Sequence, residues 1–206
     1  YRNSIFYAVA GTVLHLFMCV LAAYPLSRKT YQGRGPLMKI FYFSTLFGAG
    51  LIPTFLLKTS MGMFNTVWPV ILASAMSVSH IIIMRTCFSS SIPGDLFDAA
   101  KIDGASRSRI FFRVTVPLLS PMIVYVVITG FIGGFKEYSS VVGVFGEKMG
   151  PAPGYSMQTM VGLVYSALES DSNLTGRASA AALILFCIIF VVTMINLRIS
   201  KKRTYY

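Results

Sequence analysis

Charge is scarce in this 206-residue chain: 12% of its residues are charged, against roughly 25% in a soluble domain, and only 7 are acidic. None of those acids falls in the five long apolar runs set out below, which argues against a membrane enzyme and against a secondary transporter with coupling-ion carboxylates. Internal repeats of the kind such transporters carry are also absent. The three cysteines, Cys19, Cys87 and Cys187, lie in or beside apolar runs without C-x-x-C spacing, so they act as small packing residues and build no disulfide framework. The chain has no G-x-x-x-x-G-K-S/T pattern and no Gly-Lys pair, so it holds no ATP of its own. It opens at Tyr1 with no initiator methionine, no basic leader and no small-residue cleavage site, and is expected to be a fragment with its true start upstream.

Apolar residues are abundant. They make up 55% of the chain, with 14% aromatic, which is the composition of a membrane protein. The net charge of +11 does not mark a nucleic-acid binder, because the basic residues are dispersed between apolar runs and form no basic domain. A bilayer core of about 30 Å needs around 20 apolar helical residues, since lipid offers no partner to an open backbone group. Five runs qualify: Asn3 to Ser27, Ile40 to Leu57, Val67 to Met84, Leu118 to Phe135 and Ala178 to Leu197. The second carries Gly48, Gly50 and Pro53 and is expected to kink or break at its far end. The fourth carries Gly130 and Gly134 at the small-xxx-small spacing that lets membrane helices approach closely. A sixth charge-free stretch, Met149 to Leu168, begins Gly150-Pro151-Ala152-Pro153-Gly154 and reads as a turn followed by a short amphipathic segment.

Five crossings put the loops at 28–39, 85–113 and 198–203 on one side, and these hold 13 of the 18 lysines and arginines. The bias of positive charge to the cytoplasm then places Tyr1 outside and the C-terminus inside. A sixth crossing would move the basic tail Lys201-Lys202-Arg203 outside, against that bias.

The one long polar interruption is Asp95 to Pro117, on the cytoplasmic side. Pro93 opens a short helix, and Asp95 and Asp98 near its start favour the helix dipole. Leu96, Ala99, Ala100 and Asp103 recur at helical spacing. Gly104 is suited to the left-handed conformation that ends a helix, Ser106 caps a second helix over 107 to about 114, and Pro117 marks the return to the bilayer. Two adjacent alanines let such a helix seat closely in a partner's groove while its carboxylates fix register. An amphipathic cytosolic loop without a partner is the plainer reading of the same residues.

Asp98-Ala99-Ala100, then Gly104, then Val114-x-Val116-Pro117 resembles the signature loop of bacterial ABC-importer permeases. The resemblance extends through Asn3-Ser4, Ala22-Ala23-Tyr24-Pro25-Leu26-Ser27-Arg28, Gly33-Arg34-Gly35, 51–57, 62–66 and Ile92-Pro93-Gly94-Asp95-Leu96. It is similar to the binding-protein-dependent permeases of the carbohydrate, maltose type. The resemblance implies an all-α polytopic membrane protein of the MetI-like ABC permease fold, with five transmembrane helices in this fragment, residues 1–206 as one transmembrane domain and 92–117 as its cytoplasmic coupling loop. It implies partner ATPase subunits that bind the ATP, a second permease subunit, an extracellular solute-binding protein and a sugar-like substrate, all at the bacterial inner membrane. The ATPase-coupling residues would be Asp95, Leu96, Asp98, Ala99, Ala100, Asp103, Gly104 and Pro117. Two departures stand out. The leading acid is Asp98 where the family usually has Glu, and Phe135-Lys136-Glu137-Tyr138 replaces the Trp-Asn-Asp/Glu-aromatic of many sugar permeases, which leaves another small polar solute as the alternative cargo.

Other candidates are weaker. His15 and His80 have no Cys, Asp or Glu at ligand spacing, so buried hydrogen-bonded histidine competes with a metal role. Lys136 and Glu137 read either as a gate or substrate contact or as a solvated pair at the outer end of the fourth run. Phe41, Tyr42, Phe43 and Phe47 read as sugar-stacking rings or as packing and interface anchors. The orientation is testable: tags placed after Tyr206 and within Arg107 to Arg109 are expected to report the cytoplasm, and an external signal from either contradicts the topology.

Overall fold

The computed structural model describes residues 2–28, 31–47, 50–63, 66–90, 99–100, 102–146, 149, 157–170 and 175–203. Among them every regular element is helical: α1 (Arg2–Ser27), α2 (Arg34–Leu46), α3 (Leu51–Ser60), α4 (Trp68–Ala73), α5 (Val78–Ser90), α6 (Arg107–Ile110), a π-helical turn (Phe111–Thr115), α7 (Val116–Leu118), α8 (Ser120–Phe135), α9 (Ser139–Phe145), α10 (Met160–Ser170) and α11 (Thr175–Arg203).

Two of the five expected runs form single helices long and apolar enough to cross a membrane, α1 and the Thr175–Arg198 part of α11. The fourth run belongs to a bent pair, Ser108–Leu118 and Ser120–Phe135, at 70°. The second run is broken as expected, between Leu46 and Leu51. Gly50 there has φ 78° and ψ 178°, a backbone region that only glycine visits. Pro53 follows in the first turn of α3, where its missing N–H costs nothing. The third run was expected to be continuous, and it is split into α4 and α5. The Ser74 side chain turns back to the Ile71 carbonyl at 3.1 Å, an alternative to the helical ladder that serine readily takes. Within the sixth stretch, α10 has 11 residues and is too short to span.

The chain forms two compact units: Tyr1–His15, Gly48–Ala75 and Val127–Ile195 make one, and Leu16–Phe47, Met76–Val126 and Asn196–Tyr206 make the other. In the first, Tyr7, Val70, Ile71, Val141 and Met149 pack as one cluster, and Ala8, Phe135, Met160 and Leu185 as another. The two small-residue pairs meet there. A Cβ added at Gly134 would lie 2.7 Å from the Ala8 Cα, and one at Gly130 would lie 3.1 Å from the Thr12 side chain. Ala8 and Thr12 are themselves four residues apart on α1, so small residues on both helices bring the two backbones together, the main source of helix association where lipid is as apolar as leucine. Among the described side chains of α11 a stripe at helical spacing is buried, Ala178, Ala181 and Leu185, while Leu183 and Phe186 remain 66% and 63% exposed. Such apolar exposure suits a lipid solvent.

The second unit has its own core. Cys19, Ala23 and Leu26 of α1, Met38 of α2, Ile81, Met84 and Phe88 of α5, and Leu119 and Val126 are buried together. Each helix contributes one face, at intervals of three, four or seven residues.

Gly134→Ala is expected to destabilise the detergent-solubilised protein by about 1–3 kcal/mol, because the obstacle is Ala8 backbone and cannot swing aside. Gly133→Ala, at a position with open space, is expected to be neutral or stabilising by up to about 1 kcal/mol. Thermal aggregation midpoints check this, and equal effects at the two positions contradict the close approach.

Candidate functional site

The polar loop is the candidate site. Asp95, Leu96 and Asp98 lie outside the described residues, whereas Ala99, Ala100, Asp103, Gly104 and Pro117 are described. Ala99 and Ala100 are helical, the first exposed and the second half-buried. The Asp103 N–H donates to the Ala99 carbonyl at 3.0 Å, and the Ala105 N–H reaches back five residues to the Ala100 carbonyl, also at 3.0 Å. That wider closure is the Schellman helix end, which requires the next-to-last residue in the left-handed region. Gly104 occupies it with φ 73°, the conformation expected from the sequence. A Cβ there would touch nothing within 4 Å, so backbone conformation and not crowding selects glycine. Beside this turn Ile102 is 86% exposed, an apolar side chain that the sequence reading passed over.

The second helix starts at its expected cap. Ser106 Oγ accepts the Arg109 N–H at 3.4 Å, the bond from the capping side chain to the third helical residue. The helix was expected to run to about Val114, but α6 ends at Ile110 and continues as the π-turn Phe111–Thr115, where the Val116 N–H bonds the Phe111 carbonyl. The cause lies downstream. Pro117 and Pro121 both lack an N–H and crowd the carbonyl four residues before them, so the ladder widens ahead of Pro117 and breaks at Leu119. Pro117 therefore falls inside α7, two residues before the bend. Thr115, in the widened turn, is fully buried, and its hydroxyl has no hydrogen-bond partner among the described residues.

This segment is tied to the end of α1 by one ring. Tyr24 meets Phe111 edge-on at 5.4 Å and Phe88 of α5 edge-on at 5.7 Å, and the Arg28 guanidinium lies 4.8 Å from the Tyr24 ring centre. Each aromatic pair contributes about 0.5–1.5 kcal/mol beyond the area it buries. Pro25 lies in the last turn of α1, which ends at Ser27, and the carbonyls left open at that end are taken up by α5: Arg85 Nε donates to Leu26 O at 3.3 Å and Ser89 Oγ to Ser27 O at 3.5 Å. The sequence shows 22–28 as a motif, but nothing in it says that Tyr24 joins three segments.

The remaining candidates separate. His15 is buried and its Nδ1 lies 2.8 Å from the Ser74 carbonyl; since a carbonyl only accepts, Nδ1 carries the proton. His80 meets Tyr125 edge-on at 5.8 Å. Among the described residues no three His, Cys, Asp or Glu side chains group as metal ligands. Glu137 is half-buried and its Oε1 accepts the Ser140 N–H at 3.1 Å, whereas Lys136 is exposed. Phe43 and Phe47 pair with each other at 4.5 Å on an exposed face, and Phe41 packs on the second unit's core.

A helical chain with this capped loop matches, over residues 4–205, the family described as binding-protein-dependent transport system inner membrane component. The chain belongs to that family. Family members are permease components of ABC transporters and not enzymes. The chain is 32% identical over 176 residues to the polygalacturonan/rhamnogalacturonan transport system permease protein YtcP of Bacillus subtilis (strain 168), covering 85% of this chain and 61% of that protein. It is 35% identical over 148 residues to the galactooligosaccharides transport system permease protein GanQ of the same organism, covering 67% of this chain and 50% of that protein. Among solved structures, a bacterial ABC transporter involved in the import of the acidic polysaccharide alginate superposes with a TM-score of 0.78 at 27% identity, covering 100% of this chain and 74% of that one. The permease fold is therefore shared along the whole of this chain.

Proposed function

We propose that the chain is the transmembrane permease subunit of an ATP-binding-cassette importer, carrying a sugar or oligosaccharide handed over by an extracellular binding protein. In this reading it lies in the bacterial cytoplasmic membrane, pairs with a second permease subunit and rests on ATPase subunits that bind the nucleotide. The observation that carries the reading is the family match over residues 4–205, which contains the whole loop. Five crossings are retained by reading the split second and third runs as broken spans, with Tyr206 in the cytoplasm. Transport of carbohydrates by the two Bacillus relatives, and of alginate by the structural neighbour, supports a sugar as cargo. Phe135-Lys136-Glu137-Tyr138 keeps another small polar solute as the second reading.

The loop is a mechanical part and performs no chemistry. Its first helix, carrying Asp95, Leu96, Asp98, Ala99, Ala100 and Asp103, seats in the ATPase; small alanines permit close contact and exposed Ile102 adds apolar area. The Gly104 turn and Ser106 cap hold the second helix at a set angle to the first. Closure of the ATPases on ATP then drives the second helix against Tyr24, and so moves α1 and α5 together, biasing the spans between inward-open and outward-open arrangements.

Replacing Ala99 with Trp or Gly104 with Val is expected to abolish transport and ATPase association while membrane insertion stays normal. Gly104→Asn should retain much of both, because asparagine visits the left-handed region. Normal ATP-driven uptake in the Trp and Val variants contradicts the coupling role.

A further inference from the structure

In the first unit, α3 and α9 leave an open cavity of about 230 Å³ between them. One wall is a single face of α3, where Thr54 and Lys58 stand four residues apart beyond Gly50, with the Phe55 ring beside them. The other wall is Ser139, Ser140 and Gly143 of α9. The lining residues therefore carry one ammonium, three hydroxyls and one aromatic group, with two glycines leaving the space open; the Thr54 hydroxyl donates to the Gly50 carbonyl at 2.7 Å and is left to act as an acceptor. Among the described residues the lining includes no carboxylate. Glu137 is near enough to act on Lys58 through its charge, but its Oε1 is engaged by the Ser140 N–H. Among the described residues the one charged group that acts on Lys58 is Glu137, through its Coulombic field.

We infer that this cavity is a binding subsite for one acidic sugar ring, with Lys58 pairing with the carboxylate of a uronic acid unit and Thr54, Ser139 and Ser140 bonding its hydroxyls. The inference rests on the sugar-importer reading and narrows its substrate class. Lys58 lies just past the Ile40–Leu57 run, and partial burial pushes its ammonium below the ordinary lysine range, only partly opposed by Glu137. An incoming carboxylate would give Lys58 a hydrogen-bonded anionic partner in addition to the field of Glu137. Neutral sugars bring no such partner. The volume lies below the roughly 300–1,000 Å³ of pockets for drug-sized ligands, which fits a single ring of a longer chain.

The test uses the whole transporter, with partner permease, ATPases and binding protein, reconstituted in lipid vesicles. ATP-driven uptake of an oligogalacturonate and of a neutral galacto-oligosaccharide is compared for the natural chain, Lys58→Gln, Lys58→Arg and Thr54→Val. Lys58→Gln is expected to lower uptake of the acidic oligosaccharide about ten-fold, the scale of one charge-assisted hydrogen bond, and leave the neutral one unchanged. Lys58→Arg should retain most acidic uptake, and Thr54→Val should lower it a few-fold. Free acetate at equal carboxylate concentration should not compete, which separates a sugar subsite from a general anion site. Equal losses for both sugars, unchanged acidic uptake in Lys58→Gln, or a natural chain that moves only neutral sugar overturns the subsite and leaves the importer reading standing. A natural complex that moves neither sugar overturns the sugar reading and the subsite with it.

Discussion

Inside a bilayer every backbone N–H and C=O must find its partner within the protein, because lipid offers none. The breaks in the helices of this chain are organised by that constraint. Where α4 stops, the freed Ser74 carbonyl accepts from His15 on α1. Where α1 ends at Ser27, the Leu26 and Ser27 carbonyls accept from Arg85 and Ser89 on α5. At the start of α10 the Met160 N–H donates to Ser4 Oγ at 2.8 Å, Thr159 Oγ1 accepts the Gly162 N–H at 3.2 Å, and Asn3 Nδ2 donates to the Gln158 carbonyl at 3.3 Å. Each repair comes from a residue in another helix or in the helix's own cap. The interruptions thereby become joints between helices, and the few polar side chains in the apolar runs have a common task.

The polar loop, which we propose lies outside the bilayer, obeys a different constraint. It must present a surface and hold an angle, so its structure is local: a six-residue closure through Gly104, a serine cap, and a widened turn ahead of two prolines. Its connection inward is through side chains, with the Tyr24 ring in contact with Phe111 and Phe88 and under Arg28. In the proposed coupling, a push on the second helix reaches α1 and α5 through packed rings, which are stiff because their contacts leave little room to slide.

What was legible in the sequence was what is decided locally. Hydropathy marked the first and last spans, a glycine at the right offset marked the left-handed turn, and a serine one residue before the basic helix marked its cap. The break in the second run was readable from Gly50 and Pro53. The split of the third run was not, because it is stabilised by His15 from far along the chain. Nor was Tyr24 as a junction, since its aromatic partners Phe88 and Phe111 are separated from it by more than sixty residues. The spacing of Gly130 and Gly134 announced a close approach without naming Ala8 and Thr12 as what they meet. The Lys58 cavity was equally hidden, because only the pairing of α3 with α9 brings Thr54 and Lys58 opposite Ser139 and Ser140.

The central claim is that the helix ending at Gly104 seats in a motor subunit that this chain does not itself contain. It is tested most directly by photo-cross-linking from position 99 in the intact, transport-competent complex, with and without ATP. The account predicts capture of the ATPase subunit, at a yield that changes with nucleotide. Capture of only lipid or another permease chain, while the complex still imports its solute, would contradict it.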